Sequence, residues 1–318
     1  MRLAFLGTPD FAVPSLLRLH EAGHSILFAL CRPDRPAGRG RRVQACPVKQ
    51  RAQALGISVL QPERIDQGVI TQVSHAGAEL AVVVAYGLIL PSAFLALPRR
   101  GCVNVHASLL PRWRGASPIV HAILQGDRTI GVTTIRMDEG IDTGPILLQR
   151  ESPLGEAETT GEAESRLSHL GADLLLETLD RMEQGVLQPK PQDSREASYA
   201  PKIRPELARI AWDARALTII RQVNAFNPRP GAGTSYRGTS LKIWGAALCA
   251  TSSVSAPSGT ILPGQGLRVA CGSGSCIELL EVQMEGRRRI SGAEALRGRW
   301  FEPGGCFGKL SDSVSHQS

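Results

Sequence analysis

Aromatic side chains are scarce in this sequence: four Trp, three Tyr and seven Phe among 318 residues. A core built from it must therefore be mostly aliphatic. No apolar stretch approaches the ~20 residues of a membrane helix; the longest runs only from Leu80 to Pro91. The apolar opening is broken at Gly7-Thr8-Pro9-Asp10, too early for a signal peptide, so a cytoplasmic protein without membrane contact is expected. Cysteine is sparse too. The seven are scattered, with no C-x-x-C pair, and no histidine lies close to Cys271 or Cys276. That pattern argues against zinc and predicts reduced, structural thiols, with no metal required.

Missing motifs exclude further classes. The first predicted strand is followed by GTPD rather than G-x-G-x-x-G, so a dinucleotide pyrophosphate finds no glycine cradle. G-x-x-x-x-G-K-[ST], H-E-x-x-H and G-x-S-x-G are absent as well, against a P-loop nucleotidase, a zinc protease or an α/β-hydrolase.

What is present is a chain 42% hydrophobic and 20% charged, long enough for about two domains. Its formal charge of +7 is unevenly spread. Residues 1–200 hold 21 basic and 21 acidic side chains, whereas 201–318 hold 15 and 8. Within the neutral part, 31–49 carries Arg32, Arg35, Arg39, Arg41, Arg42 and Lys49 against Asp34 alone. Positive charge gathered in two places suits a phosphate-rich partner, and equally a solvated basic face.

Strands alternate with helices over the first 187 residues: strands at 2–7, 25–31, 58–60, 79–86, 101–108 and 130–137, helices at 11–22, 47–55, 115–125 and 159–184. The run ELAVVVAY is typical of a central parallel strand covered on both faces. An open α/β, mostly parallel, Rossmann-like sheet is expected. Residues 188–206, with four prolines among polar residues, read as a linker. After a helix at 214–225, short strands at 241–244, 259–262, 267–270 and 277–281 between Gly/Pro/Ser turns predict a small β-barrel over 207–310. A polar tail, 311–318, is expected to be disordered.

Open α/β sheets bind ligands beyond the carboxyl ends of their strands. The strand at 101–108 ends in Val103-Asn104-Val105-His106, placing Asn104 and His106 on one face. Two polar groups there are costly in a core and useful in a cleft. About 30 residues on, the loop MDEGIDTG offers Asp138, Glu139 and Asp142 as a carboxylate to orient His106 or accept a proton; spacing does not choose among them. Arg112 and Arg114 are candidate anion contacts or solvated loop charges, and Arg287-Arg288-Arg289 a candidate nucleic-acid contact.

At this point a family becomes visible. VNVHASLLPRWRGA (103–116) and GVTTIRMDEGIDTGP (131–145) resemble the signature of formyltransferases that use 10-formyltetrahydrofolate. GTPDF (7–11), PDRPAGRG (33–40), VVAYGLILP (83–91), YAPKI (199–203) and AFNP (225–228) narrow the likeness to methionyl-tRNA formyltransferases, over about residues 2–307. The resemblance implies formyl transfer from 10-formyltetrahydrofolate to the methionine amine of initiator methionyl-tRNA, by a catalytic domain (1–187) and an OB-like tRNA-binding barrel. It implies Asn104, His106 and Asp142 as the catalytic trio. Ser108, Leu109, Leu110 and Pro111 match a folate-contacting turn, and Tyr86, Gly87 and Leu88 the strand end beside the pteridine. The loop 33–46, with Arg35, Arg39, Arg41 and Arg42, is similar to the insertion that meets the tRNA acceptor end. Neither a metal nor an obligate dimer is implied. Arg229 stands where the family often has Trp, and Ala107 where it has Gly. Two competing readings are a formyltransferase for a small amine, such as glycinamide ribonucleotide or an amino-sugar nucleotide, and a non-catalytic RNA-binding protein. The first has no need of the basic loop and barrel; the second leaves the trio unexplained.

Overall fold

The opening run RLAFLG is apolar on both faces, as a central strand must be when helices cover it on either side. A computed structural model, describing residues 1–37, 42–250 and 253–308, places it as β1 (Arg2–Gly7). Leu3 and Phe5 enter one core cluster while Ala4 and Leu6 enter another, the period-two alternation of a strand buried twice over. α1 (Val13–Glu21), with a proline in its first turn, buries Leu16 and Leu19 on one face. β2 (Ser25–Leu30) follows, then a hairpin of β3 (Arg35–Ala37) and β4 (Arg42–Gln44), and α2 (Pro47–Ala54). β5 (Val59–Leu60) leads to α3 (Gln67–Ala76), whose first turn is capped by the Asp66 carboxylate and whose end is closed by Gly77. β6 (Leu80–Val84), α4 (Ser92–Leu95), β7 (Cys102–His106), α5 (Pro118–Gln125), β8 (Thr129–Arg136), β9 (Ile146–Pro153) and α6 (Thr160–Glu183) complete this half of the chain.

The sheet runs β5-β2-β1-β6-β7-β8-β9. Its pairs are parallel up to β7, and β8 and β9 are antiparallel additions at one edge. The mostly parallel α/β sheet is thus as expected. Five elements go beyond the sequence reading: β3, β4, α3, α4 and β9. α3 buries only Ile70 and Val73, too few apolar positions to mark a period. β9 alternates half-buried and exposed residues through Gln149, Arg150 and Glu151, an edge-strand pattern that reads as loop. The expected helix from Gly115 starts later, at Pro118.

The chain divides into two compact units, and the division is not at one point: residues 119–128 and 155–163 join 202–318 in the second unit. Residues 190–200, in the stretch expected to be a linker, are tied into the first. Lys190 exchanges backbone hydrogen bonds with Ile146, and Ala200 N–H donates to Arg114 O at 2.8 Å.

The second unit comprises α7 (Ala216–Ala225), β10 (Ala232–Tyr236), β11 (Thr239–Leu248), β12 (Arg268–Ala270), β13 (Cys276–Met284), β14 (Ile290–Ser291), α8 (Gly292–Arg297) and β15 (Phe307–Gly308). The antiparallel sheet runs β12-β13-β11-β10-β15. Residues 259–262, expected as a strand, make isolated bridges: Ile261 to Val269 of β12, and Thr260 to Cys306 next to β15. They link the two ends of the sheet, which is how the barrel-like curvature closes. Ile219 and Val223 of α7 pack into the core of this sheet with Ile243, Ile277 and Val282. Half of the aromatics lie here: Tyr236 meets Phe301 edge-on at 5.0 Å, and Trp212 stacks on Phe307 at 5.4 Å. One expectation is corrected: Cys249 and Cys276 are joined as a disulfide where β11 and β13 pair, while the other five cysteines are free thiols. No helix among the described residues is long and apolar enough to cross a membrane.

Candidate active site

β7 ends in two polar residues that its neighbours nearly enclose: Asn104 is 8% exposed and His106 6%. β8 is antiparallel to β7, setting Arg136 beside Val103. The loop after β8 closes on its own strand end, with Arg136 N–H donating to Pro145 O. Gly144 allows this, because a Cβ there would lie 1.8 Å from the Arg136 carbonyl oxygen. The loop thereby holds Asp142 over β7.

Of the three acidic residues in that loop, geometry selects one. Asp138 is occupied locally, accepting from Gly140 N–H and Thr143 Oγ1. Glu139 is exposed. Asp142 turns inward: Oδ1 lies 3.5 Å from Asn104 Nδ2, and Oδ2 lies 3.6 Å from His106 Nδ1 while accepting Gly115 N–H at 2.8 Å. Its φ of 53° is a left-handed conformation that Asp and Asn tolerate better than most residues. The other ring nitrogen of His106, Nε2, lies 3.0 Å from the Trp113 carbonyl. A carbonyl only accepts, so Nε2 carries the hydrogen. Nδ1 faces the Asp142 carboxylate.

The supporting shell was not legible in the sequence. Arg114 is 5% exposed, and its guanidinium grips Gln192 Oε1 through Nε at 3.0 Å and a terminal nitrogen at 2.7 Å. Gln192 Nε2 in turn donates to the carbonyls of Asp142 and Gly144, at 2.8 and 2.7 Å. Arg114, read from the sequence as an anion contact or a solvated charge, is buried rather than solvated, and through Gln192 it braces the Asp142 loop. Gly115 lies against residue 200 with φ +117°, where a Cβ would come within 2.8 Å of the Ala200 carbonyl oxygen. Only glycine puts its N–H on Asp142 here. Gln192→Ala leaves two loop carbonyls and a buried guanidinium short of partners. It is expected to lower stability by about 1–3 kcal/mol and kcat by less than loss of the trio would, read by thermal unfolding and by turnover at saturating substrates.

The remaining candidates fall into separate groups. Ser108 Oγ donates to Arg112 O, Thr133 Oγ1 donates to Ser108 O, and Leu110 O accepts from Gln149. The turn Ser108–Pro111 is therefore internally braced, and the Leu109 side chain covers Gly131. Tyr86 is buried in the core with its hydroxyl unpartnered, and burial pushes that hydroxyl above its ordinary range. Thr8 Oγ1 donates to the Tyr86 carbonyl; Gly87 turns at φ +82°, Leu88 packs inward, and Ile89 is 87% exposed. Arg35 is exposed on β3, and Arg42 lies on β4. Arg39 and Arg41 lie outside the described residues.

The chain is similar to known proteins over nearly its whole length. The family model described as "Formyl transferase" matches residues 1–179, and "Formyl transferase, C-terminal domain" matches 202–299. The methionyl-tRNA formyltransferase of Solibacter usitatus is 45% identical over 300 residues, 94% of this chain and 96% of that protein. That of Citrifermentans bemidjiense is 43% identical over 322 residues, 99% and 98% of the two chains. Among solved structures, an N-formyltransferase from Helicobacter canadensis, in complex with folinic acid and dTDP-3-aminofucose, has a TM-score of 0.64. At 18% identity, over 89% of this chain and 98% of that one, it shares the fold. Nearly the whole length of both curated relatives is matched at well over 40% identity, and the chain belongs to the methionyl-tRNA formyltransferases within the formyl transferase family.

Proposed function

We propose that Asn104, His106 and Asp142 carry the formyl transfer by which this chain, as a member of that family, formylates the methionine of initiator methionyl-tRNA. The observation that carries the assignment is the Asp142 carboxylate lying against both Asn104 and His106 at the end of β7. The formyl donor is 10-formyltetrahydrofolate, supported by the family and by the formylated folate in the Helicobacter canadensis structure. The methionine α-amine attacks the formyl carbon, and the carbonyl π-pair moves onto oxygen. The Asn104 amide donates to that oxyanion, assisted by His106 in its protonated or donor form, whose Nε2–H rests on Trp113 O. Asp142 takes the amine's proton, directly or through water. Collapse re-forms the carbonyl and breaks the bond from carbon to N10, which leaves with the proton that Asp142 took from the amine, returned directly or through water.

Ser108–Pro111 and Tyr86–Leu88 are proposed to border the folate. The Ser108 hydroxyl and the Ser108 and Leu110 carbonyls are engaged in bracing the former turn. Arg35, Arg39, Arg41 and Arg42 are proposed to meet the tRNA. The second unit offers a cationic and aromatic face of its own. The Arg289 guanidinium lies 3.6 Å from the Trp244 ring centroid, Lys242 lies 5.6 Å from the same ring, and Arg287 lies 4.7 Å from Trp300. A monomer working in the cytoplasm, where translation begins, fits these assignments.

The deciding assay offers 10-formyltetrahydrofolate with either methionyl-initiator tRNA or free glycinamide ribonucleotide. Formylation of the tRNA is expected, and transfer to the small amine alone overturns the reading. Arg39→Ala is expected to raise KM for tRNA, leave KM for folate unchanged, and reduce the log–log salt dependence by about one unit. An unchanged salt slope removes Arg39 from the interface.

A further inference from the structure

The strand order of the first sheet reverses at β1. From there the chain runs outward through β2 to β5, then returns to β6 on the other flank of β1. An open α/β sheet leaves a binding crevice outside the carboxyl ends of its strands at such a reversal. Thr8 follows β1 there, Cys31 and Arg32 follow β2, and Ala85 to Gly87 follow β6. The Thr8 hydroxyl ties the three ends together, accepting the Arg32 backbone N–H at 3.2 Å and donating to the Tyr86 carbonyl at 3.0 Å. The Arg32 carbonyl accepts from Gln61 Nε2 at 2.9 Å. With its backbone fixed on both sides, Arg32 extends its side chain past the end of β1 to β6. A Cβ on Gly87 would stand 3.4 Å from Arg32 Cδ and 3.7 Å from a terminal guanidinium nitrogen.

This guanidinium has no protein partner. Arg32 is half-buried, its Nε is enclosed without a hydrogen bond, and among the described residues its guanidinium forms no ion pair. Asp34, the nearest carboxylate in the sequence, is taken: Lys49 holds one oxygen at 2.5 Å and Gln61 the other at 2.7 Å. Other enclosed guanidinium groups are provided for. Arg114 has Gln192, and Arg268, whose Nε is also unbonded, donates from a terminal nitrogen to the Pro263 carbonyl. A partly enclosed cation with its N–H fork unused is costly unless an anion completes it, and the planar fork matches two oxygens of a phosphate.

We propose that Arg32 binds a phosphate of the tRNA acceptor end in this crevice and thereby places the methionyl group for the trio on β7, the strand next to β6. The proposal rests on the tRNA reading above. Two placements favour phosphate over a folate carboxylate. In that reading folate presents its uncharged pteridine to Tyr86–Leu88, and its carboxylates stand at the opposite end of that molecule. Arg32 also stands at the foot of the β3–β4 hairpin, the segment assigned to tRNA.

Arg32→Gln in the full-length protein is expected to raise KM for methionyl-initiator tRNA about 10- to 100-fold, the scale of losing a charge-assisted hydrogen bond. The log–log salt slope of tRNA binding should fall by about one unit. KM for 10-formyltetrahydrofolate, and kcat at saturating tRNA, should stay within about twofold of the parent. Arg32→Lys keeps the charge and the packing of the stem but not the fork, so it should restore the salt slope while KM for tRNA stays raised. That variant covers any loss of fold in Arg32→Gln. A parental KM and salt slope in Arg32→Gln overturn the proposal, and so does a lysine variant whose slope stays at the glutamine value. A raised KM for folate with tRNA unaffected gives Arg32 to a folate carboxylate and overturns it too. A parent protein that leaves methionyl-tRNA unformylated fails earlier, at the tRNA reading, and takes the proposal with it.

Discussion

Asn104→Ala is expected to lower kcat for formyl transfer by about 10²–10³-fold, the usual effect of removing one oxyanion donor. The side chain is 8% exposed, and its Nδ2 lies 3.5 Å from Asp142 Oδ1, at the outer limit for a hydrogen bond. The amide is thus oriented by the carboxylate but not consumed by it, and it remains free to shorten onto an oxygen whose charge grows during the reaction. Such an interaction belongs to the transition state, so kcat and kcat/KM should fall together while KM for folate and tRNA moves little. Asn104→Asp has nearly the same shape but replaces the donor with a second anion beside Asp142, and it should be at least as slow. Steady-state kinetics of both variants, on protein whose melting temperature stays near that of the parent, make the check. A kcat within threefold of the parent for Asn104→Ala would remove Asn104 from the chemistry.

How far the site could be read from the sequence depended on whether the information was local. β1 and β6 were legible because a strand buried on both faces has no polar residue to confuse its pattern. Asn104 and His106 were legible because two polar residues at a strand's end, on the same face, need a cleft to offset their burial. The choice of Asp142 over Asp138 and Glu139 was not legible from spacing. It depends on β8 being antiparallel and on a loop that closes at Gly144, which are properties of the sheet rather than of eight residues. Gln192 was invisible for a stronger reason. It lies 50 residues from Asp142, in a proline-rich stretch that reads as linker, and only the fold brings its amide to the Asp142 carbonyl. The Cys249–Cys276 disulfide likewise follows from the pairing of β11 with β13, not from any cysteine motif.

Asp142→Asn is expected to reduce kcat by about 10²–10⁴-fold, the range for losing a positioned proton acceptor. The substitution is nearly isosteric, and Asn is among the few residues that accept the φ of 53° required there. Its carbonyl oxygen can keep the Gly115 N–H bond of 2.8 Å, so the loop should hold its course and the melting temperature should change little. What disappears is the negative charge. His106 Nδ1, 3.6 Å from Oδ2, then faces a neutral group, and the amine proton of the incoming methionine loses its acceptor. Two consequences separate this from a merely structural defect. Folate binding, measured directly by quenching or calorimetry, should be retained, because the loss falls on the transferring proton and not on the docked donor. The rate should also recover in part as pH rises, since a more basic solution supplies the deprotonated amine that Asp142 no longer generates. Asp142→Ala lacks both the charge and the Gly115 contact, so it should add a loss of stability to the same kinetic defect. A variant Asp142→Asn with near-parental turnover at neutral pH would sink the role given to this carboxylate. Asn104 would then remain as the oxyanion donor, with proton removal left to solvent.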